Sequence, residues 1–363
     1  MLVDIRQYYA IIILSKIIGP RSIDLKKTIL LGLCLILFIM TGCGPTTTKQ
    51  SRFLLNTVVE ITVYGRKSEK LINELFQEMQ YMENKYSRYI ADSEIYNVNS
   101  NPGIPVPVSE DTFDLIQQGI YYATISDGLF DISIGPLVDL WAIGEQNPQI
   151  PLQSDIDLAK SRVDYRNISM DSQNHTISVA EGMSIDTGAI AKGFITDKLV
   201  YILQEGNADS ALLNLGGNLY LYSSKPDGSL WTVGIRDPFG SQGDYLGTIS
   251  VRDMSVVTSG IYERYFEVDQ KRFHHILNPE TGYPADNELA SISIISPSST
   301  KCDGLSTTCF LLGLDKGMEL IEQLEDVETI MVTKDKKVYV SNGIKNGAIH
   351  FKLTNDEYTL INK

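Results

Sequence analysis

The chain is short of cysteine and of basic charge, and each shortage closes off a class of protein. Only four cysteines occur in 363 residues. No CxxC or HExxH spacing exists, so the common zinc-site patterns are absent. Cys302 and Cys309, placed on one helix, would be separated by about 10 Å of rise. A disulfide needs Cα atoms within about 7 Å, so both are expected to be free, buried thiols. Lys and Arg total 31 against 45 Asp and Glu, a formal net charge of −14. Phosphate backbones require basic neutralisation, which argues against nucleic acid as a partner. No apolar run reaches the roughly 20 residues that a membrane-spanning helix needs. Internal repeats and low-complexity tracts are also lacking.

The longest apolar run, residues 28–40, follows Lys26 and Lys27 and precedes Thr41-Gly42-Cys43. A basic flank, an apolar stretch of about 7–15 residues and small residues at its end make a secretory signal. Residues 1–42 are therefore expected to be a signal peptide. Met40 to Cys43 resembles the bacterial lipobox, which makes Cys43 the expected lipidation site and the extracytoplasmic face of the cell membrane the expected location. The 24 residues before Leu25 are long for such a signal, and a true translation start at Leu25 would give an ordinary lipoprotein leader. Residues 43–51 then read as a polar tether, and residues 52–363 as the folded domain. That length allows one large domain or two modest ones with a substantial core.

Along that domain, Val58 to Val63 reads as a strand. Lys70 to Tyr86 carries apolar residues at helical spacing, and Ser109 starts a second helix through Tyr122. Residues 97–109 and 145–155 read as loops. A strand is expected at Thr176 to Val179, and a helix from Ile190 to Gln204 ending at Gly206. Gly216-Gly217 breaks a strand between Ala211 and Tyr222. Further strands are expected at 231–235, 246–251 and 290–296, and helices at 303–312 and 315–324. Asn342-Gly343 reads as a hairpin turn. Helices and strands mix without regular βαβ alternation, which indicates the α+β class: a single large domain of mixed sheets with packed helices.

Three clusters carry chemistry. In Asp186 to Gly193, small residues let backbone approach a ligand. The following helix aims N–H groups at an anion, and Lys192 adds positive charge; a plain Gly/Ala turn before a helix reads the same way. In Asp303-Gly-Leu-Ser306-Thr307, positions i, i+3 and i+4 share a helix face. Their oxygens suit a hard cation such as Mg2+, although for this segment alone an N-cap role for Asp303 is the better fit. In His274-His275 to Pro284, either histidine could serve as a general base near neutral pH, or as a hydrogen-bonded structural residue.

In order, the segments Ser87–Tyr89, Asp127–Ile132, Asp186–Gly193, Asn214–Asn218, Ser259–Phe266, His275–Pro284 and Asp303–Thr307 resemble the FAD:protein FMN transferase family, the ApbE type. The resemblance runs from about residue 53 to about 335. It departs at Leu55-Asn56-Thr57, where the family often has Met-Gly-Thr, and at Thr187, Asn278 and Cys302. It implies a Mg2+-dependent enzyme that takes FAD as substrate. The FMN half passes to a Ser or Thr hydroxyl of an exported acceptor flavoprotein, and AMP is released. By the same resemblance Asp303, Ser306, Thr307 and the Ala189 carbonyl are metal ligands. Leu55, Tyr89, Leu129, Phe130, Asp131, Asp186, Lys192 and Leu277 line the flavin nucleotide site. His275 is the candidate base, with Asp303 and Lys192 as its catalytic partners. FAD hydrolysis to FMN and AMP, or flavin binding without chemistry, are the rival readings.

Overall fold

A computed structural model of the protein describes residues 46–145 and 148–361. The expected signal segment 1–42, the expected lipidation site Cys43 and the expected start at Leu25 lie outside the described residues. From Thr47 onward the chain forms one compact unit.

The chain opens with an antiparallel hairpin, β1 (Thr47–Leu54) and β2 (Thr57–Tyr64), followed by helices α1 (Ser68–Tyr86) and α2 (Glu94–Ser100). Next come β3 (Val106–Pro107), α3 (Glu110–Ile125), α4 (Gly135–Trp141), α5 (Gln153–Lys160), β4 (Ser169–Asp171) and β5 (Thr176–Ser178). Helix α6 (Ala191–Glu205) leads into β6 (Ser210–Leu215), β7 (Asn218–Tyr222), β8 (Trp231–Arg236), β9 (Tyr245–Val251) and β10 (Met254–Gly260). A short hairpin, β11 (Tyr265–Val268) and β12 (Lys271–His274), precedes β13 (Leu289–Ser296). Helices α7 (Ser299–Leu312) and α8 (Leu314–Glu322), strands β14 (Glu328–Thr333) and β15 (Lys337–Val340), α9 (Asn342–Lys345), β16 (His350–Leu353) and β17 (Thr359–Ile361) complete it.

Nine strands build the central sheet in the order β1-β2-β6-β7-β10-β13-β14-β15-β17. Only the last pair, β15 with β17, is parallel. Helices α1, α6, α7 and α8 cover one face of this sheet. The other face packs against the small sheet β16-β9-β8, through residues such as Trp231, Ile249, Ile295 and Val332. This is the mixed α+β domain that the residue pattern indicates. Strand β13 lies in the middle layer, and all eight of its residues are buried. Its Ile292 and Ile294 face the helices, and Ile295 faces the small sheet. A third apolar cluster joins α4 and α5 to the β11–β12 hairpin, where Trp141 stacks on Phe273 at 5.7 Å and donates to the Gly282 carbonyl at 2.7 Å.

Several boundaries differ from the expectation. The tether expected at 43–51 is a strand from Thr47 onward. An edge strand is held by backbone pairing to β2, so it needs no apolar residues, and polar ones are common there. The loop expected at 97–109 begins as helix α2, whose N-cap is the Ser93 hydroxyl. Asn342-Gly343 does not form a hairpin turn but starts α9. Glu322 accepts from both the backbone and the side chain of Asn342, and neither residue has the positive φ that a type I′ turn requires. Cys302 and Cys309 are free and buried, as expected.

Candidate active site

The helices and sheets leave a cavity of about 840 Å³. Two hairpin turns line one side of it. Between β1 and β2, Leu55 and Asn56 both have positive φ; between β6 and β7, Gly216 and Gly217 do. Such paired positive φ values match the right-handed twist of the flanking strands. Gly216 also sits against Thr57, where an added Cβ would lie 2.3 Å from the hydroxyl.

The chemical centre lies where α6 crosses α7. Four groups at the start of α7 donate to the Asp197 carboxylate of α6: the N–H groups of Ser299 and Thr300 at 2.7 and 3.0 Å, and the hydroxyls of Ser298 and Thr300 at 2.9 and 2.7 Å. Ser298, not Asp303, is the N-cap of α7. Asp303 therefore sits one turn inside the helix, with its side chain free to face α6. There its Oδ2 accepts the Gly193 N–H at 2.9 Å, and its Oδ1 lies 3.5 Å from Lys192 Nζ. Gly193 permits this approach, because an added Cβ would fall 2.3 Å from the Ser299 carbonyl oxygen. Burial raises the Asp303 pKa above the usual carboxylate range, and the Lys192 charge opposes that rise.

Because the Gly193 N–H is turned to Asp303, the Ala189 carbonyl accepts no backbone hydrogen bond from another described residue. Thr307 lines the same cavity, and its hydroxyl pairs with no other described residue. Carboxylate, hydroxyl and carbonyl oxygens are the donors that a hard divalent cation takes. Among the described residues no three His, Cys, Asp or Glu side chains cluster. A cation here would therefore complete its shell with water or substrate phosphate, as Mg2+ commonly does. Ser306 is separated from this group. Its hydroxyl is buried, meets Ser259 Oγ at 2.8 Å and donates to the Asp303 carbonyl at 2.9 Å, so the three-oxygen face expected of this helix is reduced to Asp303 and Thr307.

Most of the nucleotide-site residues expected from the sequence line the cavity: Leu55, Leu129, Phe130, Asp131, Asp186, Lys192 and Leu277. Two of the carboxylates are already engaged. Asp131 accepts from Ser133 N–H and Oγ, both at 2.7 Å, and from Tyr165 N–H at 2.9 Å. It shapes the loop rather than offering its charge to a ligand. Asp186 accepts from Arg88 Nη1 at 3.0 Å and from Gly188 N–H at 2.7 Å. Tyr89 does not line the cavity and is 67% exposed.

The two histidines divide the roles left open for them. His274 is buried; its Nε2 meets the Ala285 carbonyl at 2.9 Å and its Nδ1 accepts from Ile276 N–H. Burial pushes its pKa down to about 4. It is a structural residue. His275 lines the cavity, and its Nδ1 is buried without a partner. Burial, and then the Arg264 charge, push its pKa down to about 3.

Among the cavity residues to which the sequence assigned no role are Arg236, Tyr262 and Glu263. Glu263 lines the cavity and keeps solvent exposure there; the protein around it displaces enough water to push its pKa up to about 6 despite Lys192 and Arg264 nearby. Glu263 and Tyr262 lie within the family-like segment 259–266 and could have been marked. Arg236 ends a strand in the small sheet, and no local pattern identifies it.

The chain matches the ApbE family over residues 55–331. It is 36% identical over 314 residues to a FAD:protein FMN transferase of Treponema pallidum (strain Nichols), covering 81% of this chain and 87% of that one. A FAD:protein FMN transferase of Klebsiella pneumoniae (strain 342) is 36% identical over 294 residues, covering 80% and 91%. The crystal structure of the ApbE protein from Thermotoga maritima superposes with a TM-score of 0.77 at 32% identity, covering 83% of this chain and 99% of that one. With the match spanning the cavity, both hairpin turns and the α6–α7 crossing, the chain belongs to the ApbE family of flavin transferases.

Proposed function

We propose that this protein transfers the FMN moiety of FAD to a Ser or Thr hydroxyl of an exported acceptor protein and releases AMP, with Mg2+ bound at Asp303, Thr307 and the Ala189 carbonyl. The observation that carries the reading is the Asp303–Lys192–Gly193 arrangement in a cavity large enough for a dinucleotide. A protein that only bound flavin would have no need of a buried carboxylate held in this way beside an unpartnered hydroxyl and carbonyl.

The reaction is a substitution at the phosphorus of the FMN half. A bond forms from the acceptor oxygen to that phosphorus. The bond from the same phosphorus to the oxygen it shares with AMP breaks, and that oxygen leaves with AMP. A divalent cation supplies charge neutralisation of the pyrophosphate oxygens. The Lys192 ammonium adds to this at the α6 N-terminus, whose N–H groups already favour negative charge. The acceptor proton goes to His275. With its pKa far below neutrality, this imidazole is unprotonated and ready to accept. Substrate phosphates entering the cavity bring opposite charge, which raises the basicity of a neighbouring imidazole.

The location follows from the leader. Cys43 carries the lipid and holds the domain at the extracytoplasmic face of the cell membrane. An exported protein is threaded out unfolded and would leave a loose cofactor behind, so covalent flavin attachment at that face serves such acceptors.

Purified protein with FAD, Mg2+ and a family acceptor should release AMP and leave an acceptor that fluoresces in a denaturing gel. Asp303→Ala should lose both signals. AMP release with no labelled acceptor would instead support FAD hydrolysis, and neither signal from the unmutated protein would sink the catalytic reading. Cys43→Ala should move the protein from the membrane fraction to the soluble fraction.

A further inference from the structure

Arg236 is a cation in the cavity wall. It ends β8 in the small sheet, across the layers from the α6–α7 crossing. Its guanidinium carbon lies 4.3 Å from the centre of the Tyr262 ring. Its Nε is buried and has no hydrogen-bond partner. Among the described residues no carboxylate forms an ion pair with it. Elsewhere in the wall Lys192 faces Asp303, and Asp186 is held by Arg88; the Glu263 carboxylate is near enough to feel the Arg236 charge but forms no ion pair with it.

A buried N–H without an acceptor is unfavourable, and a guanidinium stacked on an aromatic ring is held in a fixed plane. A group positioned this way and left unpaired is suited to a planar, two-point contact with an anion. Carboxylate and phosphate both fit that fork. The ligand of this cavity, on the function proposed above, brings two phosphates. We propose that Arg236, oriented by Tyr262, binds a phosphate oxygen of the FAD pyrophosphate. It recognises the substrate from the small-sheet side of the cavity, so that with Lys192 on α6 two cations from different elements hold the pyrophosphate.

This inference rests on the proposed function, and binding measurements separate the two. Dissociation constants for FAD, FMN, AMP and riboflavin would be measured on the unmutated protein, Arg236→Met and Arg236→Lys by calorimetry, with thermal melting of each. If the unmutated protein failed to bind FAD, the functional reading would fall before the variants were compared. Given binding, Arg236→Met should weaken FAD by about 10- to 100-fold, the range of a charged hydrogen bond. Riboflavin, which has no phosphate, should bind unchanged. Melting should be unchanged or higher, because an unpaired buried N–H is removed. Arg236→Lys should recover part of the loss, since a point charge replaces a fork. Weakening of AMP alone would place the contact on the departing phosphate, and weakening of FMN alone on the transferred one; either supports the proposal. Unchanged FAD binding in Arg236→Met would overturn it. So would an equal loss of riboflavin binding with a lowered melting temperature, which marks a structural role.

Discussion

The Leu55 N–H donates to Glu83 Oε1 across 2.7 Å, tying the β1–β2 turn to helix α1. Leu55 has a φ of 54°, a conformation that costs an L-residue about 1–2 kcal/mol. Its side chain nevertheless forms part of the cavity wall. The strain is held at a functional position by a contact from outside the cavity. Glu83→Ala should therefore cost about 1–2 kcal/mol in thermal unfolding and raise KM for FAD more than it lowers kcat. Glu83→Gln keeps an acceptor oxygen and should restore most of both. If Glu83→Ala left KM unchanged while lowering the melting temperature, the contact would serve stability alone.

Gly193 is expected to tolerate no side chain. A Cβ there would press on the Ser299 carbonyl oxygen at 2.3 Å and on the Asp303 Cβ at 2.7 Å. Both are rigid parts of α7. Gly193→Ala should push the two helices apart, destabilise the domain by about 1–3 kcal/mol and remove most AMP release. Chemical denaturation and an AMP assay on the same preparation would test this, and a variant with normal activity would refute the close crossing.

These two sites show what the residues disclosed in advance. The helical face Asp303–Thr307, the small-residue run before Lys192 and the histidine segment are local patterns, each ambiguous on spacing alone, and the family resemblance of the ordered segments gave them roles. What spacing could not reveal is which partner each oxygen finds. Ser306 shares the face with Asp303 and Thr307, but Ser259 on β10 takes its hydroxyl. Asp131 sits in the right segment, but Tyr165, from a separate loop, takes its carboxylate. Arg236 reaches the cavity only because the small sheet folds over the large one. The strand β10 and the β11–β12 hairpin also escaped notice: β10 has no exposed position and so no alternation between faces, and each strand of the hairpin has only 4 residues.

Asp303→Asn separates charge from shape. The amide can still accept the Gly193 N–H, so the α6–α7 contact should persist. Burial raises the pKa of Asp303 in the folded protein above its unfolded value. Its ionised form is thus disfavoured by folding at neutral pH, and that penalty disappears as pH falls below the unfolded value. Removing the charge should leave the melting temperature at pH 7 equal or higher, while AMP release falls by at least a hundredfold. A large fall in melting temperature would show instead that the pairing with Lys192 dominates the energetics of this carboxylate.

Acid should act on the structural histidine before it acts on most of the carboxylates. The His274 pKa is about 4 in the folded protein, against an ordinary value of 6.5. The folded state therefore binds this proton less tightly than the unfolded state. Its contribution is fully present above about pH 6.5 and is lost as pH falls toward 4. The full difference amounts to about 3 kcal/mol, and its physical source is the buried ring between the Ala285 carbonyl and the Ile276 N–H. Urea unfolding across pH 4 to 7 should show stability dropping along this interval. His274→Gln has no proton to gain in that range, so its slope should be shallower even though it starts from a lower stability. The activity profile tests the other histidine separately, because His275 faces the cavity. With its pKa near 3 in the free protein, it should stay unprotonated down to about pH 4 before substrate binds, and kcat/KM, which reports the free enzyme, should hold over the range in which stability declines. Parallel loss of both quantities in the unmutated protein, with the same slope in His274→Gln, would remove His274 as the source.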